Sequence, residues 1–179
     1  MKRITAYVLA LVLTCFCVSS VAGAYYADVP GSSALAGEVE KAVRYGLMNG
    51  YSQDRFGYSD AMTRAQFVVV LTRMMGWQTP SDEETAASIT AAMALPKNLS
   101  SQYRSAIACA AAHDVIGQSE AFRPNSPATR AEMAELLVRA LGLKACAADA
   151  EKENGLPFTD VSDKRGYIAV AYEVGMTKG

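Results

Sequence analysis

The most constraining feature of this chain is a short segment that occurs twice. Met62–Gln66 returns 66 residues further along with Thr-Arg-Ala unchanged and glutamate in place of the glutamine. Repetition of this kind indicates one supersecondary unit used more than once. The threonine hydroxyl can cap a helix, and the glutamine or glutamate three residues later can accept from the threonine's own N–H. The repeat therefore predicts two helices with capping boxes, Thr63 with Gln66 and Thr129 with Glu132.

The arginine after each threonine stands where a cation is not expected. Arg64 and Arg130 fall in the first helical turn, where the macrodipole disfavours a positive charge by about 0.3–1 kcal/mol. An anionic ligand would compensate, because a guanidinium can meet a carboxylate bidentately and free N–H groups at the helix start favour the same anion. In the structural alternative, each arginine packs its stem on a neighbouring helix and pairs with an aspartate such as Asp60 or Asp28.

The N-terminal region has the pattern of an export signal. Lys2 and Arg3 precede an almost wholly apolar run over residues 7–18, and Ala22–Ala24 offers small residues for cleavage. The apolar run is too short for a comfortable membrane span. Residues 1–24 are therefore predicted to be a signal peptide, which leaves 155 of the 179 residues as an exported chain with no membrane span.

The charge of the exported chain argues against nucleic acid as a partner. Without Lys2 and Arg3, the 17 basic residues fall to 15 against 18 acidic ones, whereas phosphate binding needs a basic surplus or stripe. The length suffices for one domain with a sizeable core.

The cysteines and the single histidine do not predict catalysis. Cys109 and Cys146 remain after signal cleavage, and in an exported chain they either pair or serve as small buried hydrophobes. His113 follows Cys109 by four residues, but no orienting third residue or oxyanion loop accompanies a Cys–His nucleophile there. One histidine and two cysteines make no standard metal cluster. We predict a non-enzyme with no cofactor and no metal.

Helical patterns dominate the remainder, which predicts an all-α fold. The two motif helices share an apolar stripe at i, i+3, i+4 and i+7, and they end at Gly76 and Gly142. The stripe pairs are Phe67 with Met133, Val70 with Leu136, Leu71 with Leu137, and Met74 with Ala140. We predict repeats at 25–77 and 101–143, a partial third repeat at 157–179, and linkers at 78–100 and 144–156, with one helical piece over 82–93 in the first linker.

In their order, these features resemble the repeats of the S-layer homology domain. Such a repeat runs from aromatic-x-Asp-Val and a helix, through a glycine turn and a Phe-x-Pro loop, to a Thr-Arg-Ala-Glu helix. The matching segments are Tyr26-Ala27-Asp28-Val29, Gly46-Leu47-Met48-Asn49-Gly50, Phe122-Arg123-Pro124, Thr129-Arg130-Ala131-Glu132 and Phe158-Thr159-Asp160-Val161. The resemblance implies tandem helix-loop-helix repeats around a central helical bundle, here an incomplete pseudo-trimer, because the third repeat shows no Thr-Arg-Ala-Glu.

The resemblance also implies a function at the bacterial cell wall or S-layer surface. Proteins of this family look like anchors that attach exported proteins to polysaccharide, either a secondary cell-wall polymer or a peptidoglycan-linked glycan. The motif arginine, here Arg64 and Arg130, would hold acidic, often pyruvylated, sugar. S-layer or other envelope proteins are further candidate partners. The proposed glycan-binding residues are Arg64, Arg130, Thr63, Thr129, Gln66, Glu132, Asp28, Gly50, Gly117, Tyr51 and Tyr58.

Several of these residues also have a structural interpretation. Asp28, like Asp160, either orients an arginine or caps the helix that follows it, and capping is the preferred interpretation. Gly50 and Gly117 are expected to provide turn conformations closed to other residues. Tyr51 and Tyr58 flank a polar loop and are candidates for stacking on sugar. Phe56 and Phe122 are expected to plug the core beneath their loops.

A rival function belongs to a different class. The chain departs from the family at Ala34, where a tryptophan is usual, and at residues 94–96, where the second repeat lacks its aromatic-x-Asp-Val opening. These departures favour an exported helical module that binds other proteins and has lost glycan binding.

Overall fold

The computed structural model describes residues 26–91, 93–117, 121–152, 156 and 158–178, so the predicted signal peptide lies outside the described residues. All regular secondary structure in these ranges is helical, as predicted. The helices are α1 (Ala36–Arg44), α2 (Arg64–Met74), α3 (Glu83–Thr90), α4 (Ser101–Ala112), α5 (Arg130–Ala140), α6 (Lys144–Ala150) and α7 (Arg165–Glu173). None of those described is long and apolar enough to cross a membrane.

The chain forms two compact units, and the boundary along the sequence lies between Ser59 and Asp60. In the described part of the first unit, α1 is followed by a loop that folds back on the start of the unit. The Tyr26 ring lies 5.3 Å from that of Phe56 between centroids, and the Tyr26 hydroxyl donates to the Asn49 carbonyl over 3.0 Å. Tyr26 is 5% exposed, so its side chain lies buried beneath the loop that packs on it.

One packing arrangement occurs twice in the second unit. α4 packs against α2, and α7 packs against α5. Each motif helix therefore packs against the helix that opens the following repeat. The apolar core forms two clusters accordingly, one centred on α2 and α4 and one on α5, α6 and α7. α3 lies within the predicted linker, as expected, and packs on α4.

Both predicted capping boxes are confirmed. The Thr63 hydroxyl accepts from Gln66 N over 3.3 Å, and Thr63 N donates to the side-chain Oε1 of Gln66 over 2.8 Å. The second copy has the same geometry, with 3.2 Å for the hydroxyl of Thr129 and 3.0 Å for its N–H to Glu132. Gly76 lies beyond the end of α2 with a φ of 65°, as predicted for a left-handed C-cap.

The predicted apolar stripe is partly wrong. Met74 is 46% exposed, whereas Val68, Leu71 and Thr72 are almost completely buried. α2 is apolar on nearly every side, so its periodicity does not determine which face turns inward. Thr72 fits the core because its hydroxyl donates to the Val69 carbonyl over 3.0 Å.

The two predicted turn glycines, Gly50 and Gly117, lie one position apart in the register of their turns. Gly46 and Asp114 occupy the equivalent place in their turns, each with a positive φ and a backbone bond to the carbonyl three residues back. Gly175 repeats that geometry after α7. When the two turns are aligned on Gly46 and Asp114, Gly117 corresponds to Asn49, and position 118 corresponds to Gly50.

Candidate functional site at the two repeated helix starts

The first helix start is occupied by a loop of the second repeat. Arg64 N donates to the Ser126 carbonyl over 2.9 Å, and Ala65 N donates to the Pro124 carbonyl over 3.0 Å. These are two of the backbone donors that a helix N-terminus leaves without an intrahelical partner. Two backbone N–H groups that could bind an anion at the start of α2 therefore donate to carbonyl groups of the same protein instead.

The Arg64 side chain is also engaged inside the protein. Its Nη2 lies 3.4 Å from Oε1 of Glu132, and both side chains are largely buried, at 16% and 15% exposed. The guanidinium carbon lies 5.1 Å from the centre of the Phe122 ring, and Nε makes no hydrogen bond among the described residues. The structural alternative thus describes the observed geometry, although the carboxylate is Glu132 rather than Asp60 or Asp28.

We expect Arg64→Ala to lower the free energy of unfolding by about 1–3 kcal/mol, because it leaves the Glu132 carboxylate without its cation in a mostly buried place. Urea unfolding of the exported chain measures the change. Lys152→Ala is the control, since it removes an exposed pair with Asp149 and should change stability by less than about 0.5 kcal/mol. Equal effects of the two substitutions would contradict this role for Arg64.

The second helix start is open. Arg130 is exposed, and among the described residues its guanidinium has neither a hydrogen bond nor an ion pair. The backbone N–H groups of Arg130 and Ala131 also have no backbone acceptor among the described residues. The same residues line a groove of about 440 Å³. Cation and free donors therefore converge on an open groove at α5, unlike at α2.

The lining of the groove combines apolar and charged residues. Phe67 and Leu137 are among the apolar ones, while Asp160 and Asp163 add two acidic residues to a lining that also includes Arg130. An anionic group would be attracted to the helix start and its arginine. The aspartates restrict where such a group can sit, so the site favours one carboxylate at α5 rather than a strongly anionic polymer along the whole groove.

Asp28 organises the loop of the first unit. Its carboxylate accepts from Phe56 N over 2.8 Å, from Gly57 N over 2.6 Å and from Tyr58 N over 3.0 Å. The prediction that it caps its own helix is wrong, because α1 begins after Leu35 without a side-chain cap.

The cap prediction is wrong for Asp160 as well. α7 begins after Lys164, which has a φ of 54° and supplies no side-chain cap.

The three backbone donors, led by Phe56 N–H, hold the pKa of Asp28 below its ordinary value of 3.8. Stability from this contact is therefore present above about pH 4 and disappears as the pH falls through the lowered pKa. We expect the amide proton shifts of residues 56–58 to move together in that acidic window. Asp28→Asn should remove the titration, whereas Asp54→Asn, an exposed carboxylate in the same loop, should leave it; an unchanged titration in Asp28→Asn would contradict the assignment.

The remaining candidates of the first unit differ in accessibility. Gly50 has a φ of 68°, and a Cβ there would lie 2.9 Å from the Arg55 carbonyl oxygen, so its predicted turn role is confirmed. Tyr58 is half-buried, and its hydroxyl lies 2.8 Å from the Ser33 hydroxyl. Tyr51 is 54% exposed, with the Arg55 guanidinium carbon 5.0 Å from its ring centre.

Cys109 and His113 do not form a nucleophilic pair. Cys109 is buried, burial raises the pKa of its thiol, and its Sγ contacts the Gln78 carbonyl oxygen at 3.5 Å. The imidazole of His113 instead stacks on the Trp77 indole, with centroids 3.9 Å apart and planes 7° from parallel. Cys109 and Cys146 are both free; Cys109 fits the buried-hydrophobe interpretation, but Cys146 is exposed. No sequence pattern indicated the contact of Trp77 with His113.

Comparisons with known proteins find a protein family and a curated relative that this chain resembles. The S-layer homology domain model matches residues 25–68 and 97–134. A cell surface protein of Thermoanaerobacter kivui is 27% identical over 187 aligned residues, which cover 100% of this chain and 22% of the relative. The chain thus spans about a fifth of that curated relative's length. Both motif starts, with Arg64 and Arg130, lie inside the matched segments.

Proposed function

We propose that this chain, which matches the S-layer homology domain in two segments, is a non-catalytic module that anchors an exported protein to acidic polysaccharide of a bacterial cell envelope. The family is one of cell-wall anchors, and the relative is a cell surface protein, which supports a location at the envelope surface. Export through cleavage of residues 1–24 belongs to the same proposal.

The open start of α5 is the observation that carries this proposal. Arg130 would bind a carboxylate of the glycan bidentately, and Arg130 N and Ala131 N would donate to the same anion. Arg64 would act differently, by joining the two repeats through Glu132 and Phe122. Thr63, Thr129 and Gln66 would serve as capping residues that hold both helix starts in place, and the exposed ring of Tyr51 would offer a sugar contact in the first unit.

Sedimentation with wall material tests the proposal. The exported chain should pellet with walls that have been stripped of protein and still carry their accessory polysaccharide. It should stay in solution when that polysaccharide has been extracted, and salt should weaken binding because the contact is ionic. Equal pelleting with extracted and unextracted walls would refute an accessory polysaccharide as the ligand.

The second candidate function is an exported protein-interaction module, and one observation favours it. Most residues that line the groove beside Arg130 are apolar, among them Phe67, Met133 and Phe158. At α2, the equivalent backbone donors bind carbonyls of a polypeptide loop. A loop of another protein could fill the α5 groove in the same way. Binding to envelope proteins, with none to protein-free walls, would favour this candidate over the anchor.

A further inference from the structure

A second cavity, of about 390 Å³, lies within the second unit, apart from the groove that Arg130 lines. The end of α2, the start of α4 and the segment that leads into α3 surround it. Its lining over residues 69–83 falls between the two segments that match the family, whereas its lining over residues 101–106 falls within the second segment. The part contributed by residues 69–83 is therefore a feature of this chain outside the matched repeats.

Trp77 is an aromatic residue of the cavity lining. The ring is half-buried, and the parallel imidazole of His113 covers one of its faces at 3.9 Å. Trp77 also packs against the apolar core of the second unit. An indole fixed in this way can offer its uncovered part to a flat ligand that presents C–H groups.

The polar lining indicates a ligand rich in hydroxyl groups. Five lining residues carry hydroxyls, and Gln102 adds an amide that can both donate and accept. The charged side chains of the lining are Arg73 and Glu83, one of each sign. Such a balance favours a neutral ligand over an anion, in contrast to the arginine and free helix donors at α5.

We propose that this cavity binds a neutral sugar residue, with Trp77 as the stacking plane and Gln102 and Ser105 among the hydrogen-bonding groups. The volume lies within the range of small-molecule sites, about 300–1,000 Å³. The exposed side chains of Thr79, Ser81 and Gln102 leave the cavity open to solvent. The inference does not rest on the proposed function of Arg130, since no residue is shared between the two linings.

The single tryptophan of the chain makes the proposal directly measurable, because Trp77 is the only source of indole fluorescence. The exported chain is titrated with glucose and N-acetylglucosamine to about 100 mM, a concentration high enough to reveal millimolar binding. Glucuronate is the anionic comparison and glycerol the non-specific one. We expect a saturable change in emission with a neutral sugar, at lower concentration than with glucuronate, and none with glycerol.

Variants separate binding in the cavity from other causes. Gln102→Ala removes an exposed lining amide and should raise the Kd about two- to tenfold, as expected for one hydrogen bond. Ser105→Leu should fill the cavity and abolish the change, whereas Gln53→Ala, an exposed glutamine of the first unit, should not alter it. Arg130→Ala should also leave the Kd unchanged, so failure of the anchoring proposal would not be mistaken for failure of this one.

Three results would overturn the proposal. They are the absence of a saturable change with both neutral sugars, an undiminished change in Ser105→Leu, and tighter binding of glucuronate than of either neutral sugar.

Discussion

Arg130→Ala is expected to reduce the affinity of the exported chain for acidic wall polysaccharide by about 10- to 100-fold, the cost of hydrogen bonds to a charged group. The reason is the open start of α5, where the exposed guanidinium and two backbone donors have no partner among the described residues. Sedimentation with protein-free walls over a range of protein concentrations gives the affinities. The free energy of unfolding should change by less than about 0.5 kcal/mol, because the side chain is exposed.

Two further substitutions sharpen this result. Arg130→Lys keeps the positive charge but loses the planar fork, so it should recover only part of the lost affinity. Arg44→Ala removes an arginine whose side chain is 62% exposed, paired with Glu40 in α1, and should leave binding unchanged. If Arg44→Ala weakened binding as much as Arg130→Ala, net charge rather than a site at α5 would explain the loss. Full binding by Arg130→Ala would remove this residue from the proposal.

The two motif helices show what a repeated sequence can and cannot predict. A capping box depends on residues three positions apart, so its geometry follows from the sequence and appears in both copies. The surroundings of the following arginine depend on tertiary structure. The loop that includes Phe122 and Pro124 covers Arg64, whereas no described loop covers Arg130 in that way. Identical neighbours in sequence therefore gave no means of telling a buried linking arginine from an exposed one.

The turn after the first helix of each repeat shows why glycines alone do not fix its register. The positive φ of Gly46, 69°, recurs in the second turn at Asp114, at 56°, and this register leaves Gly117 one position away from the counterpart of Gly50. Aspartate adopts the left-handed region more readily than most residues. The conformation is thus retained while the residue changes, and a register based on glycine alone moves by one position.

Gly166→Ala is expected to cause a clear loss of stability. Gly166 lies in the first turn of α7 against α6, and a Cβ there would overlap the Ala147 carbonyl oxygen and lie 2.9 Å from Glu151 N. Both are backbone atoms, so no change of rotamer relieves the overlap and the two helices must separate. Overpacking of this kind costs about 1–3 kcal/mol and sometimes more, against a helix-propensity gain of at most about 1 kcal/mol.

Gly37→Ala provides the opposite case within the same chain. Gly37 is also helical, in α1, but a Cβ there would meet nothing within 4 Å. This substitution should therefore stabilise the helix by about 0.5–1 kcal/mol, because alanine loses less backbone entropy on folding. Urea unfolding followed by helical circular dichroism compares the variants. Similar stability of the two would mean that α6 and α7 do not approach as closely as their backbones indicate. A selective loss in Gly166→Ala would establish that α7 is held on α6 by a contact that only glycine permits.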